Sequence, residues 1–329
     1  MLSPNYRTFL CEAVVIAAML LVNVLPAQAQ AKKDEKPEIP EPKPITLETK
    51  DGVSLRCTWY GGTLEKATVP VVMLPGWGGV RGDYAEVAKS LQNRGHAVIV
   101  PDLRGHGEST SMQVGDEVER LDYKKMSKNE IVGMLEDLKA VKKFLLDKNN
   151  EGELNIELLC VVSADVSCIL AMNWALYDWS LVTFPNGVKQ GRDIKALVLL
   201  SPTRSYKGLT TTAAEKHPLF TGRADRGGTS PLTLSVMIMV GERDRKSLLD
   251  AKQIHNSLER TRPKLPDDRA ERVEKQDLFL LTRDVELQGT TLLDPELRLN
   301  LESQLAAFIH YRLEKKESEF SWTNRSAQD

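Results

Sequence analysis

Residues 156–167 read Ile156-Glu157-Leu158-Leu159-Cys160-Val161-Val162-Ser163-Ala164-Asp165-Val166-Ser167. A short apolar run rich in Leu and Val suits a strand buried on both faces. The small residues that follow predict a tight turn. Residues 166–179 are strongly apolar and predict a helix. The same alternation repeats on either side. Residues 69–74, 97–100, 194–200, 234–240 and 278–281 are short apolar runs that predict buried strands. Residues 83–94 predict a helix closed by Gly95. Residues 127–147 place Ile131, Leu135, Leu138, Val141 and Leu145 on one helical face. Residues 246–260 and 295–315 predict two more helices, the last with Pro295 near its first position. Strands separated by helices predict an α/β fold with a mostly parallel, doubly wound sheet. Residues 45–50 and 53–60 flank Asp51-Gly52, which predicts an antiparallel N-terminal hairpin.

The 329 residues are 41% hydrophobic and 27% charged, a globular balance that excludes collagen-like, coiled-coil and wholly disordered chains. The net charge of −2, with no dense basic patch, argues against a nucleic-acid partner. Residues 1–29 carry Arg7, an apolar run over residues 13–25 and the small-residue pattern Ala27-Gln28-Ala29, so they read as a cleaved signal peptide, with an uncleaved anchor as the alternative. The run is shorter than the roughly 20 residues of a spanning helix. Export to a periplasm or to the exterior is therefore expected, with no stable membrane span after cleavage. Residues 30–44 hold four prolines among charges and read as a linker. The domain is expected over residues 45–315, with a lid excursion at 202–231 and a flexible tail at 316–329. Asn324-Arg325-Ser326 fits a glycosylation sequon. Cys57, Cys160 and Cys168 lack framework spacing and read as buried free thiols. No Cys/His cluster suggests a metal, and no cofactor is expected.

Three stretches make the chain resemble the α/β-hydrolase family over roughly residues 45–315. Val71-Val72-Met73-Leu74-Pro75-Gly76-Trp77-Gly78-Gly79 looks like the strand and glycine-rich turn that supply half of an oxyanion hole. The family usually has His-Gly where this chain has Pro75-Gly76. Pro101-Asp102-Leu103-Arg104-Gly105-His106-Gly107-Glu108-Ser109 matches the family's loop after the next strand almost residue for residue. In the family that loop is mainly structural, which implies the same for His106. The turn at 163–167 matches the nucleophile elbow, Gly-x-Ser-x-Gly in the family. Here Asp165 takes the central place. The resemblance implies Asp165 as nucleophile, with backbone amides of Trp77 and Val166 as oxyanion donors.

Val240-Gly241-Glu242-Arg243-Asp244 puts Asp244 at the position of the triad acid. Gln288, in Glu286-Leu287-Gln288-Gly289, takes the place of the histidine. Asp165 and Asp244 also suit helix caps, for helices 166–179 and 246–260. A serine nucleophile needs a base. A carboxylate nucleophile needs an activated water to hydrolyse its ester, and an amide has no titration with which to activate one. Of the five histidines, none sits where the family places its base, and only His217 can reach inward, if the lid folds over the site.

The carboxylate-nucleophile branches are weakly matched. Val166 stands where the dehalogenases usually have tryptophan, and the lid offers only Tyr206 where epoxide hydrolases use two tyrosines. Two readings remain. One is a degenerate hydrolase that binds a small apolar or acyl ligand with weak or no turnover. The other is an active hydrolase of esters, epoxides or haloalkanes using Asp165, Asp244 and Gln288. A misplaced elbow, with Ser163 as nucleophile, is the remaining alternative.

Overall fold

A computed structural model describes residues 38–185, 187–222 and 234–326. The signal segment 1–29, the first part of the linker and residues 223–231 of the excursion lie outside the described residues. The central sheet has eight strands. These are β1 (Lys43–Glu48), β2 (Ser54–Tyr60), β3 (Pro70–Leu74), β4 (Ala97–Pro101), β5 (Leu159–Ala164), β6 (Ile194–Leu200), β7 (Ser235–Gly241) and β8 (Leu278–Arg283). They lie in the order β1-β2-β4-β3-β5-β6-β7-β8. The hairpin β1–β2 is antiparallel and β2 meets β4 antiparallel. From β4 to β8 every pairing is parallel. The expected α/β-hydrolase fold, with its N-terminal hairpin, is what the chain adopts.

The main helices are α1 (Ala85–Gln92), α2 (Lys128–Asn150), α3 (Ser167–Ser180), α4 (Arg245–Glu259) and α5 (Leu301–Arg312). Ser127 caps α2 through a reciprocal pair with Glu130. Alternate strand residues face opposite layers. Val72, Val161, Leu197 and Ile238 pack with α2, α3 and α4 residues such as Leu138, Trp174 and Ile254. Val71, Cys160, Val198 and Met239 pack with α1 and α5 residues such as Leu91 and Ile309. Two buried faces explain why the central strands read as continuous apolar runs. Cys57, Cys160 and Cys168 are free and buried, as expected. Burial pushes the Cys160 and Cys168 thiols up to about 12, so both are inert. Among the described residues, no helix is long and apolar enough to cross a membrane.

Three expectations change. The final helix was expected over 295–315 but begins at Leu301. A short 3₁₀ turn spans Pro295–Leu297, and Arg298 and Asn300 adopt left-handed φ values of 51° and 59° that a continuous helix cannot contain. The loop after β4 contains a hairpin, Ser111–Val114 with Glu117–Arg120, and a short helix occupies Arg269–Lys275. Neither is expected from the sequence, because both are exposed and leave little apolar periodicity. The segment expected as a flexible tail from residue 316 is docked as far as Ser326. Trp322 Nε1 donates to Asn149 O at 3.2 Å, and the Arg325 amide donates to Asn150 Oδ1 at 2.8 Å. The Arg325 guanidinium is buried against Asp193 and Glu157.

Lys195 belongs to the same charged cluster. Burial, with Lys189 beside it, pushes its ammonium down to about 8. The unfolded chain holds that proton up to about 10.5, so between these values the unfolded state binds more protons and stability rises with pH. Lys195→Met is therefore expected to raise the thermal midpoint near pH 7. The advantage should shrink as the wild-type lysine discharges above about pH 8. Midpoints of both chains measured across this range check it, and a difference independent of pH would refute it.

Candidate functional site

The elbow lies between β5 and α3, at the C-terminal end of the sheet. Asp165 has φ 51°, the left-handed region that a tight strand-to-helix turn requires. Among non-glycine residues, Asp and Asn tolerate it best. The Asp165 amide donates to Leu200 O at 3.0 Å, and its carbonyl accepts from Cys168 N and Thr203 N, both at 3.2 Å. Its carboxylate does not cap α3, as the capping expectation required. Oδ1 accepts from Thr203 Oγ1 at 2.5 Å instead. The helix N-cap is Val166, with no side-chain cap. Ser163 is fully buried, its hydroxyl 3.4 Å from Val198 O, and does not occupy the apex of the turn.

The glycine-rich turn meets the elbow directly. A Cβ on Gly76 would lie 3.4 Å from the Asp165 Cβ. Ser167 Oγ donates to Pro75 O at 2.5 Å and ties the two turns together. Among the described residues, neither the Trp77 nor the Val166 amide donates to a backbone carbonyl. The Trp77 ring stands 5.0 Å from Tyr206, 5.1 Å from His106 and 5.8 Å from Tyr123. His106 stacks on Tyr123 at 4.5 Å. This aromatic wall joins three connections, those after β3, β4 and β6. Only Trp77 and Tyr206 were singled out from it by the sequence for a role at the site, and no periodicity marks Tyr123.

Asp244 and Gln288, the other two residues expected at the site, lie on neighbouring loops. A Cβ on Gly241 would approach Val285 O to 2.6 Å and Leu287 O to 2.7 Å, so glycine lets the loops after β7 and β8 touch. The Arg243 amide donates to Val285 O at 3.0 Å across the same contact. Asp244 is 7% exposed and caps α4, with Oδ1 accepting from Ser247 N at 3.3 Å. Its Oδ2 is buried and has no hydrogen-bond partner among the described residues. Gln288 is exposed. The next residue, Gly289, is close to the elbow: a Cβ there would lie 3.5 Å from the Ala164 Cβ.

Among the described residues, no histidine hydrogen-bonds to these groups. His217 is exposed and caps a short helix, its Nδ1 accepting from Leu219 N at 3.2 Å, so it does not reach inward. His106 Nδ1 lies 3.0 Å from Arg104 O, and burial lowers its pKa, which keeps the ring neutral. His96 and His310 face Glu314, and His255 faces Glu259.

The loop over residues 101–109 is held by charge. Asp102 is buried, accepts from the amides of Arg81 at 2.6 Å and Glu108 at 3.0 Å, and pairs with the Arg81 guanidinium. Arg104 bridges Asp51 and Asp137. These contacts build the loop, in keeping with a structural role. Among the described residues, no group of acidic, cysteine and histidine side chains is arranged to hold a metal.

A family model described as the alpha/beta hydrolase fold matches residues 69–156, the stretch from the start of β3 to the approach to β5. The fold is similar to that of the Pyrococcus furiosus esterase Pf2001, at 14% identity and a TM-score of 0.53, over 83% of this chain and 92% of that one. It is similar to Pyrococcus horikoshii acylaminoacyl peptidase, at 12% identity and a TM-score of 0.56, over 85% of this chain and 43% of the other. It also resembles dienelactone hydrolase from Anabaena variabilis ATCC 29413, at 13% identity and a TM-score of 0.50, over 84% and 100% of the two chains. No curated protein matches the sequence. The chain has the α/β-hydrolase fold. Its particular form of that fold carries aspartate at the elbow and glutamine at the position that follows the last strand.

Proposed function

We propose that this protein is a hydrolase-fold binder of a small apolar or acyl ligand, with weak or no turnover. One observation carries the reading: the buried Asp244 Oδ2 has no partner at the position where a triad acid would orient its base. Gln288, on the adjoining loop, offers an amide that cannot take a proton near neutral pH. Thr203 restrains the elbow carboxylate by a hydrogen bond. The glycine-rich turn that meets the elbow, with the aromatic wall around Trp77, supports recognition of a small molecule.

The second reading is a carboxylate-dependent hydrolase of an ester, epoxide or haloalkane. It is favoured by the strained, partly exposed Asp165 and by the unengaged amides of Trp77 and Val166. In that cycle Asp165 would attack carbon, those amides would face developing negative charge, and Gln288 would place water. A turnover screen of short-chain nitrophenyl esters, epoxides and haloalkanes separates the two, with Asp165→Ala as control. No turnover by the folded protein is expected, or a trace rate unchanged in the variant. Turnover abolished by Asp165→Ala would overturn the binding reading.

Residues 1–29 support action after export, in a periplasm or outside the cell. N-terminal sequencing of protein recovered from the exported fraction is expected to begin at Gln30. Retention of Met1 in cytoplasmic protein alone would refute export.

A further inference from the structure

A cavity of about 930 Å³ lies at the other end of the sheet from the elbow. It opens between the body of the domain and the docked C-terminal segment. Glu157, just before β5, and Lys195, near the start of β6, line one wall, and Phe320 and Arg325 line the other. Glu157, Lys189, Lys195 and Arg325 of its lining belong to a larger charged cluster. Among the described residues, four cations, Lys142, Lys189, Lys195 and Arg325, meet three carboxylates, Glu157, Asp178 and Asp193.

The carboxylates are already committed. Asp178 and Asp193 both pair with Lys142, and the Asp178 carboxylate also accepts from the Asp193 and Ile194 amides. Asp193 also takes Arg325. Burial alone would raise the Asp193 pKa, yet Lys142 and Arg325 hold it at about 2, so it stays ionised. Glu157 is shared by Arg325, Lys189 and, at 3.8 Å, Lys195. Lys195 is therefore the cation with the weakest carboxylate partner. It is 7% exposed and donates to Arg192 O. Its ammonium sits 5.2 Å from the Trp179 ring centroid and 4.9 Å from that of Phe320. Burying an ammonium without full compensation is costly, and burial pushes its pKa down to about 8. At the rim, exposed Arg192 adds a further positive charge, while exposed Glu319 pairs with Lys316 at 3.6 Å.

We propose that this cavity binds a small organic monoanion, a carboxylate whose charge completes the cluster at Lys195 and whose apolar body lies against Trp179 and Phe320. The volume suits a ligand of that size. The aromatic walls and the buried ammonium together favour such an anion over a neutral molecule and over inorganic phosphate. The site is separate from the elbow and independent of whether Asp165 turns anything over.

Calorimetric titration of the full chain with benzoate, neutral benzamide and inorganic phosphate tests this at low salt and neutral pH. Benzoate is expected to bind with Kd of about 1 mM or tighter, benzamide and phosphate at least about tenfold more weakly. Lys195→Met is expected to remain folded, as thermal melting would verify, and to weaken benzoate at least about tenfold. Lys195→Arg is expected to retain part of the affinity. Equal binding of benzamide or phosphate, benzoate affinity unchanged in Lys195→Met, or no benzoate binding by the wild type would each overturn the proposal.

Discussion

Asp165→Ser combined with Gln288→His is expected to hydrolyse short-chain nitrophenyl esters about 100-fold or more faster than Asp165→Ser alone, the usual contribution of a positioned general base. The fold already supplies the surroundings. The elbow holds residue 165 at φ 51°, tied through Ser167 to the turn at Pro75. Asp244 offers a buried oxygen without a partner, the acceptor that an imidazole Nδ1–H requires. Gly289 rests against Ala164, so residue 288 adjoins the elbow. A histidine there would be oriented by Asp244 and would take the serine proton, while the Trp77 and Val166 amides would receive the oxyanion. Initial rates of the wild type, each single variant and the double variant check the effect. The gain must be confined to the double variant. If it stays inactive while folded, Asp244 Oδ2 and residue 288 do not share one site, and the degenerate-triad reading fails with them.

Arg325→Ala is expected to lower stability by about 3–5 kcal/mol, the range for breaking a buried ion pair from one side. Arg325 is 8% exposed and pairs with Asp193, which is fully buried, and with Glu157, which is 7% exposed. Its Nη1 donates to Asp193 Oδ2 at 3.0 Å. Removing the guanidinium leaves two buried carboxylates with Lys142, Lys189 and, at 3.8 Å from Glu157, Lys195 close by. The thermal midpoint should fall by roughly 6–15 °C. Arg325→Met with Asp193→Asn should recover part of the loss, because the uncompensated charge is removed along with its partner. Denaturant and thermal melts of the wild type and both variants check both statements. A loss below about 1 kcal/mol would show that the C-terminal segment contributes no more than an exposed pair does.

Much of the fold was legible in the chain. Strands buried on both faces by helices must be apolar along their whole length, so β3 to β7 announce themselves as runs such as 69–74 and 194–200. The elbow and the turn at 75–79 were legible because sharp turns admit few residue types, and Asp165 and Gly76 occupy them. The ends of elements were less so. Arg298 and Asn300 break the last helix without glycine or proline at either position, and the exposed hairpin at 111–120 carries no apolar stripe.

The sequence by itself determined the order of the main strands and helices and the places where the chain must turn. Those are local properties, set by burial period and by the conformations each residue tolerates. Only the tertiary structure decided whom the side chains meet. It gave the Asp165 carboxylate to Thr203 rather than to the helix end, left Asp244 Oδ2 alone, and gathered Trp77, His106, Tyr123 and Tyr206 into one wall. It also turned a polar C-terminal stretch into a clamp through Arg325, which pairs with residues at least 132 positions away. Such pairings follow from how the crossovers fold loops together over long separations, and no period or propensity along the chain encodes them.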